Sequence, residues 1–168
     1  AYKRVESSCR EEIDRLHRTE DGRTVLYYFW VATVACPECC DVVRLFGSPV
    51  FSKHAYPKRF PKAQIVCPEC LSIKASRYDF DSETCPNGHE IHKHGVVRGQ
   101  MATCSSGHTF KVLRSLNCQR PTYEMYAKMV AEHDGSKVYE SITDWDRGLY
   151  DECVDILENL PADAVLPV

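Results

Sequence analysis

The sequence predicts a small α+β protein that has β-hairpins in a cysteine-rich middle and one helix at each end. Three observations favour this fold class. Apolar residues recur at helical spacing near both ends of the 168-residue chain. Segments dense in β-branched and aromatic residues alternate with turn signals. The middle carries short cysteine pairs, which are typical of hairpins held by a metal ion.

The N-terminal part, residues 1–23, is predicted to be a helix followed by a turn at Asp21-Gly22. The helix is expected over residues 3–18 because its apolar side chains share one face, namely Val5, Cys9, Ile13 and Leu16. Residues 24–35 are dense in Val, Tyr, Phe and Trp and predict a buried strand. This strand opens the middle domain, residues 24–120.

The C-terminal part, residues 121–168, is predicted to be a β-hairpin with a helix packed on it. Strands are expected at residues 123–131 and 137–142, joined by the turn signal Asp134-Gly135. Thr143 is the predicted N-cap of the helix, because acidic residues follow it in the first turn. The helix should end at Pro161, and its apolar stripe is Trp145, Leu149, Cys153, Ile156 and Leu160.

Four turns in the middle domain each supply two candidate metal ligands. The pairs are Cys36/Cys39 and Cys67/Cys70 in CPEC turns, and Cys85/His89 and Cys104/His108 in C-x-x-G-H turns. In a CxxC turn both sulfurs can face one ion, and Gly88 and Gly107 would supply the tight, left-handed turns that return each histidine to it. Paired thiols in a chain without a leader-like opening favour metal ligation over disulfides. We therefore predict two zinc ions, each bound by three cysteines and one histidine.

The pairing of these four half-sites is open from the sequence, since three combinations exist. We favour a nested double zinc ribbon, in which Cys67/Cys70 and Cys85/His89 close an inner site and the other two pairs close an outer one. The 14 residues between the inner pairs suit a zinc ribbon. The sequential alternative joins the two CPEC turns in a four-cysteine site. Four protein ligands leave no open position for water, so a structural role is expected for both ions.

Charge is distributed unevenly along the chain, whose net charge is −3. Residues 42–120 carry twelve Lys/Arg against five Asp/Glu, whereas residues 121–168 carry three against eleven. Within the basic part, residues 48–62 interleave cations with aromatic rings on a proline-containing loop. Cations bind phosphates and rings stack on bases, so we predict double-stranded DNA as a partner. The predicted DNA-binding residues are Lys53, Tyr56, Lys58, Arg59, Phe60 and Lys62.

Several segments taken in order resemble the zinc-ribbon part of bacterial and archaeal adenine-specific DNA methyltransferases. These segments are LYYFWVATVACPEC, VFSKHAYPKRFP, CPEC, TCPNGH, ATCSSGHTFKV, YAKMV and DGSKVY. The likeness covers about residues 10–155, and shorter members of this family keep only the outer turns, which agrees with the nested pairing. The family usually has CxxCG at all four turns. Here Gly88 and Gly107 stand where the second cysteine would be, so His89 and His108 would take over as ligands, and Cys40 replaces a glycine.

The resemblance also implies what this chain lacks. Members of that family carry a DPPY-type motif that holds the flipped base and a glycine-containing motif that binds S-adenosylmethionine. Neither motif occurs in these residues. The chain is therefore expected not to be an enzyme by itself, and S-adenosylmethionine is expected only in the parent enzyme.

Two function hypotheses follow for the chain. The first is a non-catalytic zinc-binding accessory domain of a DNA methyltransferase that contributes to DNA binding or target recognition. The second is a structural or protein-docking insert whose acidic C-terminal part, with an exposed stripe at Trp145 and Leu149, contacts the catalytic domain or a partner subunit. No apolar run approaches the roughly 20 residues of a membrane helix, so a cytoplasmic protein without a membrane partner is expected.

Overall fold

The computed structural model describes residues 10–11 and 13–160, and this part of the chain is α+β as predicted. It contains three helices and twelve strands within those residues. The helices are α1 (residues 10–11 and 13–16), α2 (Val112–Leu116) and α3 (Asp144–Glu158). The strands are β1 (Thr24–Ala35), β2 (Val42–Arg44), β3 (Val50–Lys53), β4 (Lys62–Val66), β5 (Ile73–Arg77), β6 (Ser82–Thr84), β7 (Glu90–His92), β8 (Val97–Arg98), β9 (Met101–Thr103), β10 (Thr109–Lys111), β11 (Thr122–Ala131) and β12 (Lys137–Ser141).

The two longest strands, β1 and β11, lie in a four-stranded sheet in the order β12-β11-β1-β2. The strand predicted at residues 24–35 is β1, and the hairpin predicted near the C-terminus is β11 and β12. Its turn is closed by hydrogen bonds between Glu132 and both Gly135 and Ser136. β-branched and aromatic residues dominate β1 and β11, and these suit a pleated surface that is buried in part.

Three smaller antiparallel sheets lie between β2 and α2 in sequence, in the orders β3-β4-β5, β6-β7 and β10-β9-β8. Each consists of strands of five residues or fewer, which cannot bury a large apolar face alone. Three small apolar clusters serve them, centred on Val34 and Phe110, on Phe46 and Tyr126, and on Ile65 and Ile91. Such short strands need a further stabilising interaction at their turns.

The described residues divide into two compact units. One holds the residues up to Tyr27, Met129–Val138 and those from Ile142 onward. The other, here called the cysteine unit, holds Tyr28–Lys128 with Tyr139–Ser141. All four predicted ligand turns and the three apolar clusters lie in the cysteine unit. The division predicted at residues 23 and 120 stays a prediction.

In the first unit, α3 begins as predicted at Thr143. The Thr143 hydroxyl accepts from the Asp146 backbone N–H, while the Asp146 carboxylate accepts from the Thr143 backbone N–H, which is a capping box. The helix ends at Glu158 with Asn159 as its C-cap, before Pro161, which lies outside the described residues. Leu149 is buried, and Arg15 of α1 makes a two-bonded ion pair with Glu152.

The N-terminal helix agrees with its prediction over residues 10–11 and 13–16 but ends two residues earlier than the predicted residue 18. Residues 10–11 and 13–16 are helical, while residues 3–9 and 12 of the predicted span lie outside the described residues. The chain then turns, and Arg18 forms an isolated antiparallel bridge with Thr24 at the start of β1. The Trp145 indole N–H donates to the Arg18 carbonyl at 3.0 Å.

Candidate metal centres

Each of the four ligand turns connects two antiparallel strands. Cys36 follows β1, Cys67 follows β4, Cys85 follows β6 and Cys104 follows β9, each at the next residue. The partner strands β2, β5, β7 and β10 begin shortly after the second ligand of each turn. The ligands therefore occupy hairpin ends, where rigid strand pairing on either side fixes the direction of the side chains.

The two CPEC turns have the same backbone conformation. The Cys40 N–H donates to the Cys36 carbonyl at 2.9 Å, and the Leu71 N–H donates to the Cys67 carbonyl at 2.9 Å. The residue after the second cysteine is left-handed in both turns, with φ of 63° at Cys40 and 58° at Leu71. This conformation is the one that glycine adopts without a steric penalty.

The two C-x-x-G-H turns also share one conformation. Gly88 and Gly107 have φ of 87° and 84°, so both adopt the left-handed turn expected from the sequence. The glycine N–H donates to the preceding cysteine carbonyl, at 2.9 Å for Gly88 and 3.0 Å for Gly107. Each turn then closes with the cysteine N–H donating to the histidine carbonyl. This geometry folds His89 and His108 back over Cys85 and Cys104.

The outer cluster is formed by Cys36, Cys39, Cys104 and His108, whose ligand atoms all lie within 4.8 Å of one another. The Cys39 and Cys104 sulfurs are 3.8 Å apart. His108 Nδ1 lies 3.4 Å from the Cys104 sulfur and 3.8 Å from the Cys36 sulfur. Cys36 and Cys104 are buried. The turn after β1 thus meets the turn after β9, far along the chain.

The inner cluster is formed by Cys67, Cys70, Cys85 and His89, again with all ligand atoms within 4.8 Å. The Cys70 and Cys85 sulfurs are 3.7 Å apart. His89 Nδ1 lies 3.5 Å from the Cys85 sulfur and 3.7 Å from the Cys67 sulfur. The cluster packs beside Ile65, Phe80 and Ile91, which exclude water from one side of it.

These distances match the edges of a tetrahedron around one metal ion. Bonds of about 2.3 Å to sulfur and about 2.0–2.1 Å to nitrogen place two sulfurs about 3.8 Å apart and sulfur and nitrogen about 3.6 Å apart. The observed sulfur–sulfur distances are 3.8 and 3.7 Å, and the sulfur–nitrogen distances run from 3.4 to 3.8 Å. A disulfide would bring two sulfurs to about 2.05 Å. The two groups can therefore each hold one metal ion.

The outer cluster contains thiols with opposite pKa shifts. Burial opposes ionisation of Cys36, but the backbone N–H groups of Cys39 and Glu38 outweigh it and lower the pKa of Cys36 to about 7. At Cys39 the Asp41 backbone N–H favours the thiolate. Burial and the neighbouring sulfurs nevertheless raise the pKa of Cys39 to about 11. A metal ion would displace the remaining protons and bind the thiolates.

The inner cluster contains the more acidic thiol. Burial opposes ionisation of Cys70, but the Ser72 hydroxyl, 3.1 Å from its sulfur, leads the interactions that lower the pKa of Cys70 to about 5. Burial is the largest cause that raises the pKa of Cys67 to about 11. Ser72 stands two residues after Cys70, where the outer turn has Asp41. The two otherwise similar turns thus differ in the group that contacts the second sulfur.

Each ligand histidine also faces a glutamate, which sequence reasoning did not single out. His89 Nε2 lies 3.7 Å from the Glu69 carboxylate, and His108 Nε2 lies 3.6 Å from that of Glu38. With a metal ion bound at Nδ1, Nε2 would carry the ring proton and face the carboxylate, which favours this ring orientation. Both glutamates are the third residue of a CPEC turn, so the repeat itself was the available signal.

Two contacts within the cysteine unit connect the outer and inner clusters. Arg44 of β2 pairs with Glu124 at 2.7 Å and donates to the carbonyls of Pro68 and Glu69 in the inner turn. The Gly95 N–H donates to the Gly47 carbonyl at 3.2 Å, where the chain passes from β7 to β8. A Cβ at Gly95 would lie 1.9 Å from the Phe46 carbonyl oxygen, so only glycine fits there.

The predicted DNA-binding residues lie at one end of the β3–β4 hairpin. Lys53 ends β3 and Lys62 begins β4, while the other predicted residues lie in the connection between them. All six side chains are exposed, namely those of Lys53, Tyr56, Lys58, Arg59, Phe60 and Lys62. Of the basic residues outside this loop, Lys74 and Arg77 are paired with Glu83 and Asp79.

No family model, curated protein or solved structure matches this chain. In the part of the chain that the structure describes, no helix is long and apolar enough to span a membrane.

Proposed function

We propose that this chain is a non-catalytic accessory module in which two structural zinc ions hold a nested pair of ribbons. The observation that carries this proposal is the pair of Cys3His groups with tetrahedral spacing. Thiolate and imidazole ligands in that geometry favour zinc. Four protein ligands fill the coordination shell, so no position is left at which a bound water could act as a nucleophile.

Native mass spectrometry of the purified chain tests the metal content. We expect two zinc ions, and the substitutions His89→Ala and His108→Ala should each weaken binding of one ion. His92→Ala is the matched control, because His92 is an exposed histidine outside both clusters. A single zinc that survives both ligand substitutions would contradict the proposal.

We further infer that the module contributes to DNA binding through the loop at residues 53–62. Its four cations are exposed and face no acidic residue within the loop. The charge of residues 42–120 adds a favourable long-range field for a polyanion. The resemblance to the methyltransferase zinc ribbon supports a methyltransferase catalytic domain as the partner of this module, with S-adenosylmethionine bound by that partner.

Fluorescence anisotropy with labelled duplex DNA, at low and then near-physiological salt, tests this role. Changing Lys53, Lys58, Arg59 and Lys62 together to Ala should weaken binding and flatten its salt dependence, because each lost phosphate contact reduces the slope of log K by about 0.9. The matched control changes the exposed cations Lys111 and Arg114 to Ala. Unchanged affinity in the loop variant would exclude the loop as the contact.

A protein-docking role is the second candidate, supported by the surface of α3. Ile156 and Leu157 are exposed beside acidic residues of the same helix, and Leu160, just after its end, is exposed as well. Leu149, which was expected to contribute to this surface, is buried and does not. Co-elution with a methyltransferase catalytic domain that is lost on Leu157→Asp would favour docking. Its retention would exclude this surface.

A further inference from the structure

The loop between β3 and β4 concentrates positive charge that is not already neutralised. We define the tip loop as residues 53–62, which contain four cations and no acidic residue. Among the described residues, none of these four cations forms an ion pair. By contrast, Arg44, Lys74 and Arg77 each bind a carboxylate. The tip loop can therefore bind phosphates without first breaking an internal ion pair.

The backbone of the tip loop is held by its own hydrogen bonds. The Tyr56 N–H donates to His54 Nδ1 at 3.0 Å. The Tyr56 carbonyl accepts from the N–H groups of Arg59 and Phe60, at 3.1 and 3.0 Å. Pro57 and Pro61 restrict the backbone further. Tyr56 thus lies at the centre of a small folded turn, and little conformational entropy remains to be lost when a ligand binds.

The two aromatic rings of the tip loop differ in how much of their surface already contacts other side chains. Phe60 packs on His54, with ring centroids 4.4 Å apart, and the Arg59 guanidinium lies 5.3 Å from its centroid. Tyr56 is 71% exposed, and its ring makes a tilted contact with His54 at a centroid distance of 5.9 Å. Phe60 therefore supports the turn, while Tyr56 presents ring surface to the solvent.

We propose that Tyr56 stacks on an unpaired base of single-stranded DNA while cations of the tip loop contact the flanking phosphates. This inference rests on the DNA-binding role proposed above and specifies the form of DNA. A base inside a duplex has both faces covered by its neighbours, so a ring can stack only on a base that is unpaired or turned out. Of the side chains that usually read base edges in the major groove, residues 54–61 contain Lys58 and Arg59 but no Asn, Gln, Asp or Glu.

The tip loop and the inner cluster are joined by one strand, β4. Strand β4 runs directly from Lys62 to Val66, and the first inner ligand, Cys67, follows. Five strand residues span about 17 Å, so the loop and the metal lie at opposite ends of one strand. Ile65 is fully buried in the inner apolar cluster and fixes that strand. Tyr56 is thus presented on a hairpin whose far end is held by the inner cluster.

Anisotropy with three DNA probes tests the proposal on the zinc-loaded chain. The probes are an oligothymidine of about 12 nucleotides, the corresponding duplex and the duplex with one unpaired thymine. Tyr56→Ala should weaken binding to the single strand and to the bulged duplex by about five- to 150-fold, and binding to the intact duplex by less than about twofold. Tyr56→Phe should bind like the unchanged chain. Tyr123→Ala, at another exposed tyrosine of the cysteine unit, should have no effect.

The outcomes separate this inference from the DNA-binding role itself. Equal loss for all three probes, no loss for the single strand, or tighter binding of the intact duplex than of the single strand would overturn stacking by Tyr56. Salt-dependent duplex binding would then still support the DNA-binding role. No binding of any probe at low salt would overturn both. Zinc content and circular dichroism equal to those of the unchanged chain establish that Tyr56→Ala is folded.

Discussion

The outer and inner clusters use the same ligands in nearly the same geometry but close very different lengths of chain. In the outer cluster the partners Cys36 and His108 are 72 residues apart, whereas Cys67 and His89 of the inner cluster are 22 apart. The inner cluster therefore joins neighbouring hairpins, whereas the outer one encloses the whole of the inner ribbon. The same set of side chains thus joins neighbouring turns in one place and distant turns in the other.

The largest expected effect comes from removing one ligand of each cluster. Cys104→Ser and Cys85→Ser should each release one metal and lower the free energy of unfolding by several kcal/mol, on the order of a structural zinc contribution. Cys104→Ser should lower the free energy of unfolding by about 1 kcal/mol more than Cys85→Ser. The outer metal closes the longer loop, so its loss returns more conformational entropy to the unfolded chain. Denaturant unfolding monitored by circular dichroism measures both. If Cys85→Ser lowered the free energy of unfolding more than Cys104→Ser, loop length would not decide the contribution of each cluster.

The contact between the chain segments around Gly47 and Gly95 should not tolerate a side chain at Gly95. Gly95→Ala places a methyl group against the Phe46 carbonyl and should lower the free energy of unfolding by about 1–3 kcal/mol, because the backbone must move apart. Gly47→Ala is the matched control, since a Cβ there meets nothing within 4 Å. Thermal melting compares the two. Equal melting temperatures would mean that the close approach at Gly95 is not needed.

Acidification should release the outer metal before the inner one. Metal competes with protons for the thiolates, so the cluster with the lower thiol pKa retains metal to lower pH. One thiol of each cluster, Cys39 and Cys67, has its pKa raised to about 11, and the raised pKa of His89 acts against the inner cluster. The expected order therefore depends on Cys70 of the inner cluster, with a pKa of about 5, and Cys36 of the outer cluster, with a pKa of about 7. A chromophoric chelator followed from neutral to acidic pH should show two release steps.

Ser72→Ala assigns these steps. Without its hydroxyl the pKa of Cys70 should rise, so the lower-pH step should move to higher pH while the other stays in place. Movement of the higher-pH step instead would contradict the assigned order.

The smallest expected effect concerns the left-handed residues of the CPEC turns. Cys40 is exposed, so Cys40→Gly should relieve strain and raise the free energy of unfolding by about 1 kcal/mol. Leu71 packs against the cluster around Phe46 and Tyr126, so Leu71→Gly loses burial of about 1.5–3 kcal/mol at most and should not stabilise the chain. Denaturant midpoints measure both changes. A gain in both variants would show that the Leu71 contacts contribute little.

Much of the local structure could be predicted because its causes are local. The apolar and β-branched residues of β1 predict a strand at the observed boundaries, and Thr143 predicts the start of α3. Gly88 and Gly107 predict left-handed turns, which the backbone has. Less could be predicted about contacts between distant segments. The burial of Leu149 depends on its neighbours in the fold, and helical spacing does not reveal them.

The sequence by itself determined the α+β class, the four hairpin turns and the eight ligand side chains, because turn geometry and metal chemistry depend on residue type and short spacing. Only the tertiary structure decided which turns meet, since any two CxxC-type turns have compatible chemistry. Likewise it decided that Glu38, Glu69 and Ser72 face the ligands, and that Tyr56 rather than Phe60 is the open ring of the tip loop. Each of these contacts depends on tertiary packing, and the spacing of the residues along the chain does not predict it.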